Sequence, residues 1–199
     1  RARLSSRYVL KKGAVLVGFR EKRNPYVADM HGCETLDARA ARLIDPLRAM
    51  IVKLAMREAL PQIEVAVAEN VLALVLRVLE EPGEADRAVL RAFADEYDVQ
   101  FWLQRAGPES AVAFYPEDAP ALDYTLPDFG LRLRFGPTEF TQVNFAVNRV
   151  MVRRAMQLLR PRAGERIVDL FCGMGNFTLA IARHGAQETG IEGSHSAIA

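Results

Sequence analysis

Residues 166 to 193 constrain the fold more tightly than any other stretch of the chain. "RIVDLF" is a short apolar strand pattern carrying Asp169 near its end, and "CGMGN" breaks it with Gly173 and Gly175. "FTLAIARHG" then resumes as an amphipathic helix that Gly185 stops, and "QETGIEG" reads as a second strand. Strand, glycine turn, helix, strand is a parallel crossover unit, because parallel neighbours cannot be joined by a tight hairpin. Such a unit places a ligand where the first strand turns into the helix. Two strands and one helix cannot cover both of their own faces, so the natural protein is expected to continue well past Ala199.

The preceding residues have a different organisation. "RARLSSRYVL" and "AVLVGFR", joined by "KKG", predict a hairpin, and "NPYVADMHGCETL" reads as a loop containing Cys33. A helix is expected from "DPLRAMIVKLAMREAL", with Asp45 as N-cap, Pro46 at its first position and Leu47, Met50, Ile51 and Leu54 on its apolar stripe. Two strands ("IEVAVAE", "VLALVLRVL"), an acidic helix ("EADRAVLRAFADEY") and two further strands ("VQFWLQR", "AVAFYP") follow. After the turn-rich "PEDAPALDYTLPDFG" comes a short strand, "LRLRF". A helix from Phe145 to about Leu159 is capped by Asn144, with Val147, Val150, Met151, Ala155 and Leu158 on its apolar face. The fold class is therefore α/β. An α+β domain over residues 1–137 precedes the first part of a Rossmann-like domain over 138–199, and there is no internal repeat.

Charge narrows the function classes. The net charge is only +1, but residues 1 to 25 hold Arg1, Arg3, Arg7, Lys11, Lys12, Arg20, Lys22 and Arg23 against Glu21 alone. Residues 80 to 128 hold twelve acids against three arginines. A basic strip on a near-neutral protein can follow a polyanion's backbone; a solvated charged hairpin is the plainer reading. No apolar run approaches the roughly 18 residues of a membrane span, and "RARLSSRYVL" has no leader-like apolar stretch. Two cysteines, Cys33 and Cys172, suit a reducing compartment, so a cytoplasmic location is expected.

Two ligands compete for the glycine loop. A dinucleotide site wants G-x-G-x-x-G, but its third position here is Thr178. S-adenosylmethionine has no phosphate and needs only room for its methionine and ribose parts. Glu192 ends the second strand 17 residues after Gly175, where a carboxylate can accept hydrogen bonds from both ribose hydroxyls. Asp169 before the loop also sits uncomfortably near a pyrophosphate. The residues favour S-adenosylmethionine; a nicotinamide-dependent oxidoreductase is the disfavoured rival, and a purely structural turn remains open.

"DLFCGMGNFTL", the preceding "FTQVNFAVNRVMVRRA" and the following "GIEG" closely resemble the bacterial RNA uracil-5-methyltransferases. The nearest likeness is to the 23S rRNA branch that carries an iron–sulfur cluster, and "RARLSSRYV…VLVGFREKRNPYVADMHGC" is similar to that family's central domain. By position, the resemblance implies that Gln142, Phe171, Gly173, Asn176 and Glu192 contact S-adenosylmethionine. It implies that Cys33 matches the last of four cysteines holding a [4Fe–4S] cluster, the other three lying upstream in the family. A single thiolate cannot hold such a cluster, and a buried free cysteine is the plainer reading. If the ligand role that the resemblance implies holds, Cys33 is expected near the chain's N-terminal edge, open rather than sealed in an apolar core.

In the family, carbon 5 of uracil is activated by adding a cysteine thiolate to carbon 6, and a base later removes the carbon 5 proton. The resemblance places both groups C-terminal to Ala199, so no catalytic residue is assigned in this chain, and the segment alone is expected to be inactive. Cys172 belongs to the cofactor loop and is not expected to be the nucleophile. His31, His184 and His195 show no metal-ligand spacing. The implied function is methylation of carbon 5 of a uridine in RNA, 23S rRNA first, by a monomer without a membrane partner. A tRNA enzyme and a non-catalytic RNA-binding fragment of the same fold are the alternatives.

Overall fold

The structure, a computed structural model, describes residues 1–194. It divides into two compact units, Arg1–Pro120 and Ala121 onward. The sequence reading sets the change at 137. The difference is the hairpin between these positions, whose side chains engage the helix and loop that follow.

The first unit is a six-stranded sheet. Strands β1 (Ala2–Val9) and β2 (Ala14–Gly18) form the expected basic hairpin, joined by a short turn in which Gly13 takes φ +57°. Strands β3 (Gln62–Val67), β4 (Leu72–Arg77), β5 (Val99–Gln104) and β6 (Ala111–Tyr115) complete the order β2-β1-β3-β4-β5-β6. All neighbours are antiparallel except β4 and β5. Helix α3 (Glu84–Tyr97) makes the crossover that this parallel pair requires. It packs with α2 (Ile44–Lys53), which follows the single turn α1 (Ala38–Ala41).

The core lies between these helices and the sheet. Leu47, Met50, Ile51 and Leu54 are buried, as the apolar spacing requires, against strand residues such as Ile63, Leu74, Leu76 and Phe101. Asp45 is not the N-cap: α2 begins at Ile44 after Leu43, and Pro46 falls within its first turn. The backbone N–H of Leu47 is already satisfied by Leu43 O, and the Asp45 carboxylate is drawn to His31 Nδ1 at 2.8 Å. Buried Asp86 closes the far end of α2 by accepting from Ala55 N at 2.7 Å. Buried Glu64 of β3 is paired with Arg1 and Arg3, so these two cations serve the fold. Arg7, Lys11, Lys12, Arg20, Lys22 and Arg23 are exposed and form no ion pair among the described residues.

The second unit contains hairpin β7 (Leu122–Leu126) and β8 (Leu131–Phe135), helix α4 (Phe145–Leu159), strand β9 (Arg166–Leu170), helix α5 (Thr178–Ala182) and strand β10 (Gln187–Ile191). Strands β9 and β10 are parallel, with Asp169 opposite Gly190, so the crossover unit forms as its sequence pattern requires. Asn144 caps α4, its side chain accepting from Val147 N at 3.0 Å.

The buried face of α4 is not the expected one. Val147, Val150 and Leu158 are exposed, while Asn148, Val152 and Met156 are buried. Helix α4 carries apolar residues on adjoining faces, so apolar spacing alone does not single out the face that contains Asn148. A buried amide is tolerated once its hydrogen bonds are made, and those of Asn148 are made.

Candidate cofactor site

The loop from Phe171 to Phe177 joins β9 to α5, and its turns are set by glycines at positive φ, +56° at Gly173 and +90° at Gly175. Phe171 also adopts a positive φ, +60°, a conformation that costs a bulky side chain about 1–3 kcal/mol. The residue is 89% exposed, so little packing among the described residues offsets that strain. An exposed aromatic held in a strained backbone is a feature of binding sites.

Glu192, just past β10, closes the loop from the other side. One carboxylate oxygen accepts from Gly173 N at 2.9 Å and the other from Ser194 N at 2.8 Å. These two backbone donors, Ser194 first, hold the Glu192 pKa below its ordinary value. The carboxylate therefore stays ionised and oriented, with lone pairs left for further donors.

Asn176 is tied to the rest of the unit. Its Oδ1 accepts from Asn148 Nδ2 at 2.9 Å and from Tyr124 Oη at 3.0 Å, and its Nδ2 donates to Asn148 Oδ1 at 2.9 Å. Thr178 hydroxyl donates to Asp169 Oδ2 at 2.7 Å, pinning the start of α5 to the end of β9. The residue that breaks the dinucleotide signature thus has a bonding role of its own. Cys172 packs over Gly190: a Cβ added to that glycine would lie 2.8 Å from the Cys172 sulfur. The thiol donates to Gly173 O at 3.6 Å.

Gly173 is hydrogen-bonded to Glu192, while Asn176, three residues further along the same loop, is held separately by Asn148 and Tyr124; Phe171 begins the loop as an exposed residue. Gln142 is exposed two residues ahead of the Asn144 cap and hydrogen-bonds none of the others. Tyr124, Asn148 and Gly190 went unnoticed in the sequence. For Asn148 there was a signal, a weak helix former placed among apolar residues one turn after the cap.

Cys33 lies elsewhere, in the loop before α1, partly exposed rather than sealed in an apolar core. Its sulfur is 3.1 Å from Thr35 Oγ1, and that hydroxyl, with the backbone N–H of Thr35, draws the thiol pKa down. Among the described residues no group of three or more His, Cys, Asp or Glu could hold a metal ion. Cys33 alone therefore does not fit a cluster. His31 pairs with Asp45, and His184 Nδ1 faces Ala180 O at 3.0 Å. His195 lies outside the described residues.

The family model described as tRNA (Uracil-5-)-methyltransferase matches residues 40–199. The chain belongs to the uracil-5-methyltransferase family. It is 59% identical over 194 residues to the 23S rRNA (uracil(1939)-C(5))-methyltransferase RlmD of Nitrosospira multiformis, covering 98% of this chain and 44% of that protein. The enzyme of the same name from Thiobacillus denitrificans is 57% identical over 199 residues, all of this chain and 46% of the relative. The chain thus spans less than half the length of these curated uracil-5-methyltransferase relatives. Among solved structures, the tRNA (uracil-54, C5)-methyltransferase of Pyrococcus abyssi, in complex with S-adenosyl-L-homocysteine, superposes with a TM-score of 0.69 at 18% identity. That likeness covers 99% of this chain and 49% of the archaeal one, and it shows the shared fold.

Proposed function

We propose that the second unit binds S-adenosylmethionine over the glycine loop, and that the protein methylates carbon 5 of a uridine in RNA, 23S rRNA first. The observation that carries this reading is the ionised Glu192 carboxylate, held by Gly173 N and Ser194 N beside a loop with no phosphate-binding signature. A carboxylate there suits a ribose diol, as it would in a dinucleotide fold, and Thr178 at the third glycine position is what disfavours a pyrophosphate. Gly173 keeps the backbone open to the ligand, Phe171 offers an exposed aromatic face, and Asn176 contributes an amide. Gln142, exposed just ahead of α4 in the same unit, is the remaining contact that the family resemblance implies.

When bound, the cofactor would supply the methyl group. The thiolate that adds to carbon 6 of uracil, and the base that follows, lie in our reading outside residues 1–199. Cys172 is committed to packing on Gly190. Cys33 would provide one thiolate to a [4Fe–4S] cluster whose other ligands come from outside this segment, and no step is routed through it. The six uncompensated cations of the N-terminal region would contact RNA phosphates. Reading one uracil also requires taking it out of its stack. No described helix is long and apolar enough to cross a membrane. An RNA substrate would suit a cytoplasmic location, and a monomer is the state this reading proposes.

The test is transfer of labelled methyl groups from S-adenosylmethionine to 23S rRNA or tRNA by the intact protein. Label at carbon 5 of a 23S uridine supports the proposal, and label in tRNA alone moves it to the tRNA alternative. Binding of S-adenosylhomocysteine without any transfer would make the protein a non-catalytic RNA-binding relative. Binding of NADH in place of S-adenosylhomocysteine would overturn the cofactor reading.

A further inference from the structure

Asn148 is buried, with 1% of its surface exposed. An unpaired amide in that position would be costly, and a leucine there would fill the space without the cost. The amide is instead matched end to end with Asn176, each donating to the other at 2.9 Å across 28 residues of chain. Tyr124 adds its hydroxyl to Asn176 Oδ1 at 3.0 Å. Burial pushes the Tyr124 pKa up and keeps the phenol neutral, so its hydrogen needs an acceptor, which makes Oδ1 the end of Asn176 facing it. Both lone pairs of that oxygen and one N–H of Asn176 are then used within the protein. What Asn176 has left for a ligand is a single N–H.

The geometry points to Asn148 and Tyr124 as positioning residues for the cofactor loop. Acting through Asn176, they anchor the loop to α4 and β7 and turn its amide so that it donates to an acceptor atom of the ligand. A ligand that offered Asn176 only a donor would meet no partner. This inference rests on the loop being the S-adenosylmethionine site.

Calorimetric binding of S-adenosylhomocysteine to the intact protein tests it, through a double-mutant cycle of Asn148→Ala and Asn176→Ala. Asn148→Ala is expected to weaken binding about tenfold, and the double variant to bind no more weakly than Asn176→Ala alone, because Asn148 has no route to the ligand except Asn176. Tyr124→Phe keeps the ring stacked on Phe145, whose centroid is 5.4 Å away, and is expected to weaken binding about threefold. It also serves where Asn148→Ala fails to fold. In turnover, the KM for S-adenosylmethionine should rise in both variants while the KM for RNA stays unchanged. Additive losses in the cycle, or wild-type affinity in Tyr124→Phe, would overturn the proposal. A wild-type protein that does not bind S-adenosylhomocysteine would overturn the cofactor reading and this inference with it.

Discussion

Gly173 N donates to Glu192 Oε2 at 2.9 Å, which ties the turn after β9 to the residue that follows β10. The two positions are 19 residues apart and meet because β9 and β10 are parallel neighbours, with Ile191 opposite Leu170. The same carboxylate also takes Ser194 N at 2.8 Å. One side chain thereby sets the loop, fixes its own orientation and keeps its charge.

Glu192→Gln should separate these roles. The amide can replace one acceptor but not both, so Gly173 or Ser194 loses its partner. Losing either bond loosens the loop, so S-adenosylhomocysteine binding should weaken by about tenfold. The folded pKa of Glu192 is depressed, first by Ser194 N–H and then by Gly173 N–H. Its contribution is therefore present above the unfolded carboxylate pKa and is lost as pH falls through the lower folded value. Wild-type affinity should be flat from neutral pH down to the carboxylate range and drop only below it. A calorimetric pH series on both proteins checks this.

Phe171→Gly should have opposite effects on stability and binding. Removing the side chain relieves the positive φ of +60° at no packing cost, since the ring is exposed. Stability should rise by up to about 1 kcal/mol, offset in part by glycine's extra chain entropy. Cofactor affinity should fall at the same time. Thermal unfolding and calorimetry on the same sample would show whether the strain serves binding.

Gly190→Ala should destabilise the second unit by about 1–3 kcal/mol through overpacking. Its new Cβ would lie 2.8 Å from the Cys172 sulfur and 3.3 Å from Thr178 Cγ2. Cys172→Ala in the same protein should recover part of the loss. Denaturant unfolding of the single and double variants measures it, and a methyl-transfer assay on Cys172→Ala checks that this thiol is not the nucleophile.

Glu188 should be a liability at high pH. Both carboxylate oxygens are buried with no hydrogen-bond partner, and desolvation followed by the Asp169 charge pushes its pKa up. A carboxyl whose folded pKa is raised binds more protons in the folded state, so stability falls as pH rises through the shifted range. Glu188→Val should therefore raise the melting temperature more at pH 8 than at pH 5. Parallel melts at the two pH values decide it.

Local pattern determined most of the elements of this protein. The glycine loop, the Asn144 cap, the left-handed turn at Gly185 (φ +82°) a few residues past the end of α5 at Ala182, and the acidic helix over 84–97 each depend on residues within a turn or two of one another. The parallel crossover followed from element order alone. The positions of Gly173 and Asn176 in the loop and of Glu192 after the second strand were legible as well, because local sequence order carries them.

Tertiary structure decided what local pattern could not encode. Which face of α4 is buried turned on Asn148 finding Asn176, and Tyr124 reaches the same residue across 52 positions. Thr178 replaces a glycine of the dinucleotide signature, and its purpose is visible only once Asp169 lies within hydrogen-bond reach. The need for glycine at position 190 comes from the Cys172 sulfur, not from the conformation of β10. Asp45 begins a helical pattern, yet it serves His31 instead of the helix end. In each case a polar or small side chain takes its meaning from a partner distant in sequence. Burial makes that pairing obligatory, because a polar group removed from water must find its hydrogen bonds inside the protein.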